Sequence, residues 1–190
     1  NYMIKDKQKR QKIGIAKKQD ISEEAVNYAY LSIGSNIGNK IFNLQRSKLL
    51  IFENDINILF NSSYYETPSW PNPRFPKFVN IVIKVSTKLD LKKFFLNLKK
   101  IERKMGKRSN IKNSPRICDI DIIDFNSKNF SIYVNKLKLI VPHPRMNNRN
   151  FVLFPLFELN KKWTHPKSKK NITHLLSKLP LNSIRTIKVI

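Results

Sequence analysis

Length, composition and charge limit the classes of protein to which this chain can belong. Its 190 residues are 41% hydrophobic and 26% charged, enough apolar content for one domain with a core. No apolar run reaches the length of a membrane span, so we expect no membrane partner. The single cysteine, Cys118, excludes an internal disulfide framework and fits a reducing, cytoplasmic location.

The net charge of +24 favours an anionic partner. Nucleic-acid binding is one hypothesis, but the lysines are spread along the chain instead of lining one element. A small substrate rich in phosphate would gain from the same field. We therefore interpret the charge as general background that also steers an anionic ligand, and we expect no nucleic-acid partner.

The chain divides into a polar arm and one folded domain. Residues 1–27 are lysine-rich without apolar periodicity, which predicts a disordered or linker arm before a domain at 28–190. Apolar periodicity and turn residues predict, in chain order, a strand at 28–33, a helix near 39–52, strands at 56–65 and 78–87, a helix at 91–105 capped by Asp90, a strand at 119–125, a hairpin through Tyr133 and Leu139, and a helix around 149–159. This order predicts an α+β fold, a ferredoxin-like βαββαβ sandwich with an appended hairpin and C-terminal helices.

Two acidic residues on one predicted strand give the strongest chemical signal. Successive strand side chains alternate faces, so Asp119 and Asp121 share one face while Ile120 points into the core. Like charges this close repel each other unless a cation lies between them, and an all-oxygen pair suits Mg²⁺ shared with substrate phosphates. Arg116, a fork-shaped donor for phosphate oxygens, precedes the strand. The pattern indicates metal-assisted phosphoryl transfer, with the solvated face of an edge strand as the alternative. Asp124 has the opposite parity, and we expect it at the strand end, within reach of water.

A series of short segments carries a resemblance to a known family. They lie at 30–38, 65–70, 78–80, 101–106 and 115–121, followed by Val-Pro-His-Pro-Arg-Met at 141–146 and Arg-Asn-Phe-Val-Leu at 149–153. In this order the chain resembles 6-hydroxymethyl-7,8-dihydropterin pyrophosphokinase, an enzyme of folate biosynthesis, from residue 28 to about residue 179. The last two segments together are very specific to that family.

The resemblance implies a reaction and a set of site residues. The family transfers a pyrophosphoryl group from ATP to the pterin's hydroxymethyl oxygen and releases AMP. By resemblance, the metal ligands for two Mg²⁺ ions bound with ATP are Asp119 and Asp121, and the other catalytic residues are Arg116, Arg149 and Glu102, the last on the wall of the active centre. The implied ATP-binding residues are His143, Arg116, Arg149, Lys107, Arg108 and Lys112. The implied pterin-binding residues are Asn36, Thr67, Pro68, Trp70, Phe78, Asn80 and Phe151.

The segment before Pro115 departs from the family's usual pattern. Family members commonly carry Gly-Arg-X-Arg and then Arg-Trp-Gly-Pro-Arg, whereas this chain has Gly-Lys-Arg-Ser at 106–109 and Lys-Asn-Ser-Pro-Arg at 112–116. Asn113 replaces the stacking tryptophan and Ser114 the glycine. In the family this segment acts as a lid over the pterin. We expect these changes to alter how tightly the lid closes, and therefore the turnover rate, without changing the type of reaction.

Two other functions stay open from sequence. An RNA-recognition module shares the ferredoxin-like topology and favours basic surfaces, but the strand at 78–87 has no glycine and no strand has aromatic residues spaced to stack on bases. A silent paralogue would bind pterin or nucleotide without transfer. We expect a monomer whose partners are ATP and the dihydropterin, and fusion to another folate-pathway enzyme stays open.

Overall fold

A computed structural model describes residues 25–69, 72–106 and 114–190. The strands are β1 (Asn27–Ser35), β2 (Ile56–Asn61), β3 (Tyr65–Thr67), β4 (Phe78–Thr87), β5 (Asp119–Phe125), β6 (Phe130–Val134), β7 (Leu137–Val141) and β8 (Lys188–Val189). The helices are α1 (Lys40–Phe52), α2 (Leu91–Lys104), α3 (Asn150–Leu159), α4 (Ile172–Ser177) and α5 (Leu181–Thr186), with a 3-10 turn at Met146–Asn148. The predicted arm lies almost entirely outside the described residues, so the domain boundary at residue 28 stays a prediction.

The main sheet has the strand order of a ferredoxin-like fold. β5, β1, β4, β3 and β8 are neighbours in that order, and β2 also pairs with β4. β1 is antiparallel to both β4 and β5, so the two βαβ units interleave. β6 and β7 form a separate hairpin, as predicted. The predicted α+β, ferredoxin-like fold with an appended hairpin and C-terminal helices is therefore confirmed.

Helices α1 and α2 begin at side-chain caps. Asn39 Oδ1 accepts a hydrogen bond from Phe42 N at 3.0 Å, and Asp90, the predicted cap, accepts one from Lys93 N at 2.9 Å. The predicted apolar stripe of α2 is buried against the sheet because its spacing keeps it on one helix face. Its members are Leu91, Phe94, Phe95, Leu98, Ile101 and the adjoining Met105.

Buried side chains form a cluster on each face of the main sheet. α1 and α2 cover the face to which Leu31 and Ile120 point. α3 and α4 cover the opposite face, where Val82 and Ile123 are buried. Polar side chains of the sheet face a cavity beside the start of α3.

The predicted strand at 56–65 is wrong in extent, because the structure divides it into β2 and β3. At the division, Val82 N donates to Ser62 Oγ at 3.0 Å. Ser63 N and Ser63 Oγ both donate to Glu158 Oε1 at 2.9 Å. These side-chain bonds satisfy backbone groups outside the regular ladder, so the strand can break without leaving them unpaired.

A β-bulge in β5 moves Asp124 away from its predicted position. Tyr30 pairs with Asp124 and Leu31 pairs with Ile122, so Ile123 is an additional residue in β5. The extra residue shifts the alternation of side chains beyond it. The Asp124 side chain is 2% exposed. The prediction that Asp124 reaches water is therefore wrong, because the strand continues through it with a bulge.

Two donors hold the buried Asp124 carboxylate. Trp163 Nε1 and Ser127 N each donate a hydrogen bond to it at 2.7 Å. Burial raises the pKa of Asp124, while the two donors and the nearby His165 act in the opposite direction. This carboxylate joins β5 to the segment after α3 and lies outside the polar cavity.

The last ten residues form a segment that we call the C-terminal strap, residues 181–190. It consists of α5, β8 and the residues next to them. β8 is antiparallel to β3, with Tyr65 opposite Val189 and Glu66 opposite Lys188. The strap therefore covers the outer edge of β3.

None of the helices within residues 25–69, 72–106 and 114–190 combines the length and the apolar character needed to span a bilayer.

Candidate active site

A cavity of about 840 Å³ lies beside β1, β4, β5 and the start of α3. The predicted site residues that line it are Thr67, Pro68, Phe78, Asn80, Arg116, Asp119, Asp121, His143, Arg149 and Phe151. The fold thus brings together residues from segments that are far apart in sequence. Four further predicted residues lie outside the described residues, and their roles stay predictions: Trp70, Lys107, Arg108 and Lys112.

Asp119 and Asp121 both face this cavity from β5, in agreement with the predicted alternation. In the pairing with β1, Asp119 lies opposite Gly34 and Asp121 opposite Ser32. Ile120, between the two aspartates, is buried in the core. Small residues on the neighbouring strand leave space over the carboxylates, so both side chains are partly exposed.

Each of these carboxylates is paired with an arginine. Arg116 Nη1 lies 3.1 Å from Asp119 Oδ1, and Arg149 Nη1 donates to Asp121 Oδ2 at 2.8 Å. The Arg149 guanidinium also lies over the Phe151 ring, 5.4 Å from its centroid. These contacts hold both guanidinium groups at the cavity wall, and the fork of N–H donors in each suits phosphate oxygens.

His143 faces the same carboxylates from the segment before α3. Its Nε2 lies 3.9 Å from Asp121 Oδ2, while its Nδ1 accepts a hydrogen bond from Arg145 N at 3.1 Å. Burial lowers the pKa of His143; the Asp121 carboxylate opposes this shift, and Arg149 and Arg145 reinforce it. Because Nδ1 is an acceptor, the neutral ring carries its proton on Nε2 and presents that N–H toward Asp121.

The donor set at Asp119 and Asp121 fits magnesium that arrives bound to a nucleotide. Within residues 25–69, 72–106 and 114–190, no group of three or more histidine, cysteine or acidic side chains is arranged to hold a metal ion. Mg²⁺ commonly takes one or two protein carboxylates and completes its octahedron with water and substrate phosphates. Two carboxylates on one strand face meet that requirement.

Glu102 was predicted as a catalytic residue on the wall of the active centre; the structure places it behind that wall, and its catalytic role stays a prediction. Its side chain is 1% exposed, and it is not among the described residues that line the cavity. Its Oε1 accepts a hydrogen bond from Ile120 N at 2.9 Å, and Lys99 Nζ lies 2.7 Å from Oε2. The carboxylate therefore braces the backbone between the two aspartates. Lys99, which the sequence did not single out, lines the cavity instead.

Asn36 connects two loops behind the cavity wall, and its predicted contact with the pterin stays a prediction. The residue is 2% exposed and is not among the described lining residues. Its Oδ1 accepts a hydrogen bond from Arg116 N at 2.7 Å, and its Nδ2 donates to Ser69 Oγ at 3.2 Å and to Pro76 O at 3.1 Å. One buried amide thus joins the segment of Arg116 to the loop that contains Ser69.

Amide and aromatic groups form another part of the cavity wall. Asn80 Nδ2 donates to Thr67 Oγ1 at 3.1 Å in a buried position. Gly34 lies opposite Asn80 on β1, and a Cβ at Gly34 would lie 2.7 Å from Asn80 Oδ1 and 3.3 Å from Phe78 Cδ1. Glycine therefore allows the amide and the ring to pack closely against β1. The sequence contains a signal for this role, because glycine inside a strand often marks a close approach.

Polar residues beyond the predicted set also reach this cavity. Asn150 lines it from α3, and Asn182, Ser183 and Thr186 line it from the C-terminal strap. No function is predicted for these residues from the sequence. Nothing in their local pattern indicates that the strap returns to β3.

A smaller cavity of about 330 Å³ adjoins the carboxylates. Apolar side chains such as Phe95 and Leu139 line it together with Lys99, Asp121 and His143. The last three residues also line the larger cavity, so the two spaces share a wall.

Sequence comparisons agree on one family. The sequence profile described as 7,8-dihydro-6-hydroxymethylpterin-pyrophosphokinase (HPPK) matches residues 30–161. The 2-amino-4-hydroxy-6-hydroxymethyldihydropteridine pyrophosphokinase of Aquifex aeolicus is 32% identical over 142 residues, which cover 74% of this chain and 85% of that protein. Folic acid synthesis protein fol1 of Pneumocystis carinii is 33% identical over 174 residues, covering 91% of this chain but 22% of that protein. The chain thus spans about a fifth of the length of the fol1 proteins that it matches.

Comparison with solved structures supports the same fold. A crystal structure of Plasmodium falciparum HPPK-DHPS with pterin and p-hydroxybenzoate has a TM-score of 0.68, covering 90% of this chain and 48% of that chain. The sequence identity is 18%, so this likeness concerns the fold.

Proposed function

Because the chain belongs to the HPPK family, we propose that it transfers the pyrophosphoryl group of ATP to the hydroxymethyl oxygen of 6-hydroxymethyl-7,8-dihydropterin, releasing AMP. The observation that carries the proposal is one cavity lined by two carboxylate–arginine pairs and by amide and aromatic groups. The charged groups suit a metal-bound triphosphate, and the flat rings and amides suit a pterin.

The phosphate-binding residues act by position and charge. The hydroxymethyl oxygen forms a bond to the β-phosphorus while the bond from that phosphorus to the AMP oxygen breaks, and the hydroxyl proton passes to solvent. Arg116 and Arg149 hold the phosphate oxygens and stabilise the charge that moves toward AMP. Asp119 and Asp121 would hold two Mg²⁺ ions bound with ATP, whose chemistry is to neutralise the phosphates and align their oxygens. The Nε2–H group of His143 donates a hydrogen bond to a phosphate oxygen.

The pterin binds where Asn80, Thr67, Phe78 and Phe151 line the cavity. The Asn80 amide and the Thr67 backbone bond the polar edge of the ring, and the two phenylalanine rings supply stacking faces. Pro68 extends this wall. Recognition thus uses groups that are fixed by packing before the substrate arrives, as the buried bond between Asn80 and Thr67 indicates.

We place the adenosine of ATP in the smaller cavity. Its apolar lining around Phe95 and Leu139 suits a purine, and its shared wall at Asp121 and His143 leads to the phosphate-binding residues. The nucleotide would then cross from one cavity into the other, with its β-phosphate near the two aspartates.

The decisive experiment mixes the purified protein with Mg²⁺, ATP and the pterin and measures AMP. We expect AMP from the wild type and none from Asp119→Ala or Asp121→Ala, with folding checked by circular dichroism. Glu53→Ala, which removes an exposed carboxylate at the end of α1, is the matched control and should keep activity. Activity in either aspartate variant would contradict the metal assignment.

Neither alternative function fits the cavity and the relatives of this chain as well. An RNA-recognition module gives no reason for Asp119 and Asp121 to face one cavity with Arg116, and the relatives named above are pyrophosphokinases or folic acid synthesis proteins. A silent paralogue would bind pterin without releasing AMP, so the assay above separates it from the enzyme. A monomeric state, a cytoplasmic location and fusion to another folate enzyme stay predictions; chromatography and cell fractionation of the full-length protein test them.

A further inference from the structure

The C-terminal strap lies beyond the family match at residues 30–161, yet it borders the main cavity. Asn182, Ser183 and Thr186, all on α5, line that cavity. The matched family profile therefore gives no account of these residues. Their position raises the question of whether the strap contacts a substrate.

The strap is attached at two points, and each lies next to a proposed pterin-binding residue. Asn150 Nδ2 donates to Ser183 O at 2.6 Å, and Asn150 Oδ1 accepts a hydrogen bond from Phe151 N at 2.6 Å. At the other point β8 pairs with β3, the strand that ends at Thr67. Ile190 N extends this pairing by donating to Tyr64 O at 3.0 Å.

Apolar packing explains little of the strap's position. The whole of α5 lies within the described part of the chain, and none of its residues is buried. Leu181 is 72% exposed, and Ile184 is only partly buried against the second core cluster. Since apolar burial is the usual force that holds a terminal helix, the hydrogen bonds to Asn150 and β3 must supply much of the attachment.

We infer that the C-terminal strap is a wall of the pterin-binding part of the cavity and that Asn182 and Thr186 contribute to pterin affinity. This inference rests on the proposed function. The edge of a pterin ring carries several N–H donors and nitrogen or oxygen acceptors, and an amide and a hydroxyl can pair with such groups. Both attachment points adjoin pterin-binding residues, so the effect falls on the pterin and not on ATP.

The first test compares two double variants of the full chain that differ in which face of α5 they alter. Asn182→Ala with Thr186→Val removes polar groups that line the cavity. Leu181→Ala with Arg185→Ala alters exposed residues of the same helix that are outside the described lining set. One hydrogen bond lost should raise the pterin Kd about three- to tenfold, measured by calorimetry, with the KM for ATP unchanged. The control pair should bind pterin as the wild type does.

A second test deletes residues 181–190. We expect a loss of pterin affinity on the order of tenfold or more, because the wall and the pairing with β3 are both removed. The inference is overturned if the lining pair binds pterin like the control pair, or if pterin and ATP affinity fall equally. If the wild type binds pterin and releases AMP in that case, the proposed function stands without the strap. If the wild type does neither, both fail.

Discussion

Replacing Gly34 by alanine tests whether close packing against β1 fixes the proposed pterin-binding groups. The new Cβ would lie 2.7 Å from Asn80 Oδ1 and 3.3 Å from Phe78 Cδ1. The first distance is shorter than van der Waals contact permits, so the Asn80 amide must rotate or move. Movement would break its 3.1 Å hydrogen bond to Thr67 Oγ1.

The size of this effect follows from the loss of one buried hydrogen bond. A displaced Asn80 amide would leave a polar group of the bound pterin without its partner, and an unsatisfied buried donor or acceptor costs about 1–3 kcal/mol. At 1.4 kcal/mol per tenfold change, the pterin Kd should rise roughly five- to hundredfold in Gly34→Ala. The KM for ATP is the internal reference and should stay near that of the wild type, because the clash falls on Asn80 and Phe78.

Calorimetric titration with the pterin gives the affinity, and a double-mutant cycle identifies its cause. If Asn80 transmits the effect, adding Gly34→Ala to Asn80→Ala should change the pterin Kd little further. Wild-type affinity in Gly34→Ala would refute the steric reasoning. A full additional loss in the Asn80→Ala background would show that the effect runs through another group.

Three further perturbations address a proposed phosphate-binding residue and two buried carboxylates. Arg149→Lys keeps the charge but loses the planar fork that binds Asp121 and the contact over the Phe151 ring. The kcat should fall roughly ten- to hundredfold, which corresponds to the loss of one hydrogen bond to a charged group. An unchanged kcat, measured by chemical quench, would show that Arg149 does not take part in the reaction. Glu102→Ala deprives Ile120 N of its acceptor and should lower the free energy of unfolding by about 1–3 kcal/mol in urea, whereas unaltered stability would contradict the bracing role. The folded-state pKa of Asp124 is raised by burial, so its stabilising contribution is complete below the unfolded value near 3.8 and is lost as the pH rises through the folded value. The stability of the wild type relative to Asp124→Asn should therefore decrease in urea melts as the pH rises above 3.8, and a difference that is constant or increases would be inconsistent with that raised pKa.

The regular elements were predictable because their signals are local. The strand at 78–87 and the strand at 119–125 carry alternating apolar residues, and the helix that begins after Asp90 has both a cap and an apolar stripe. The shared face of Asp119 and Asp121 follows from the same alternation. Family resemblance then supplied partners, such as Arg149, that alternation cannot reach.

The features that were missed depend on distant parts of the chain. The burial of Asp124 requires a bulge against β1 and a donor from Trp163, neither of which has a sequence signature near residue 124. Glu102 and Asn36 were assigned to the site by family resemblance, and in the structure backbone N–H groups of Ile120 and Arg116 donate to their oxygens. Sequence can indicate that a polar residue has a role without indicating whether its partner is a ligand or the protein.

The Asn36 amide has a consequence for how ligands can act on this site. Because Oδ1 binds the backbone at Arg116 and Nδ2 binds Ser69 and Pro76, one loop cannot shift without straining the bond that restrains the other. A compound that pushes the loop containing Ser69 outward would thus displace Arg116 without touching it. An inhibitor that binds the proposed pterin site would in this way weaken binding at the proposed ATP site without contacting it.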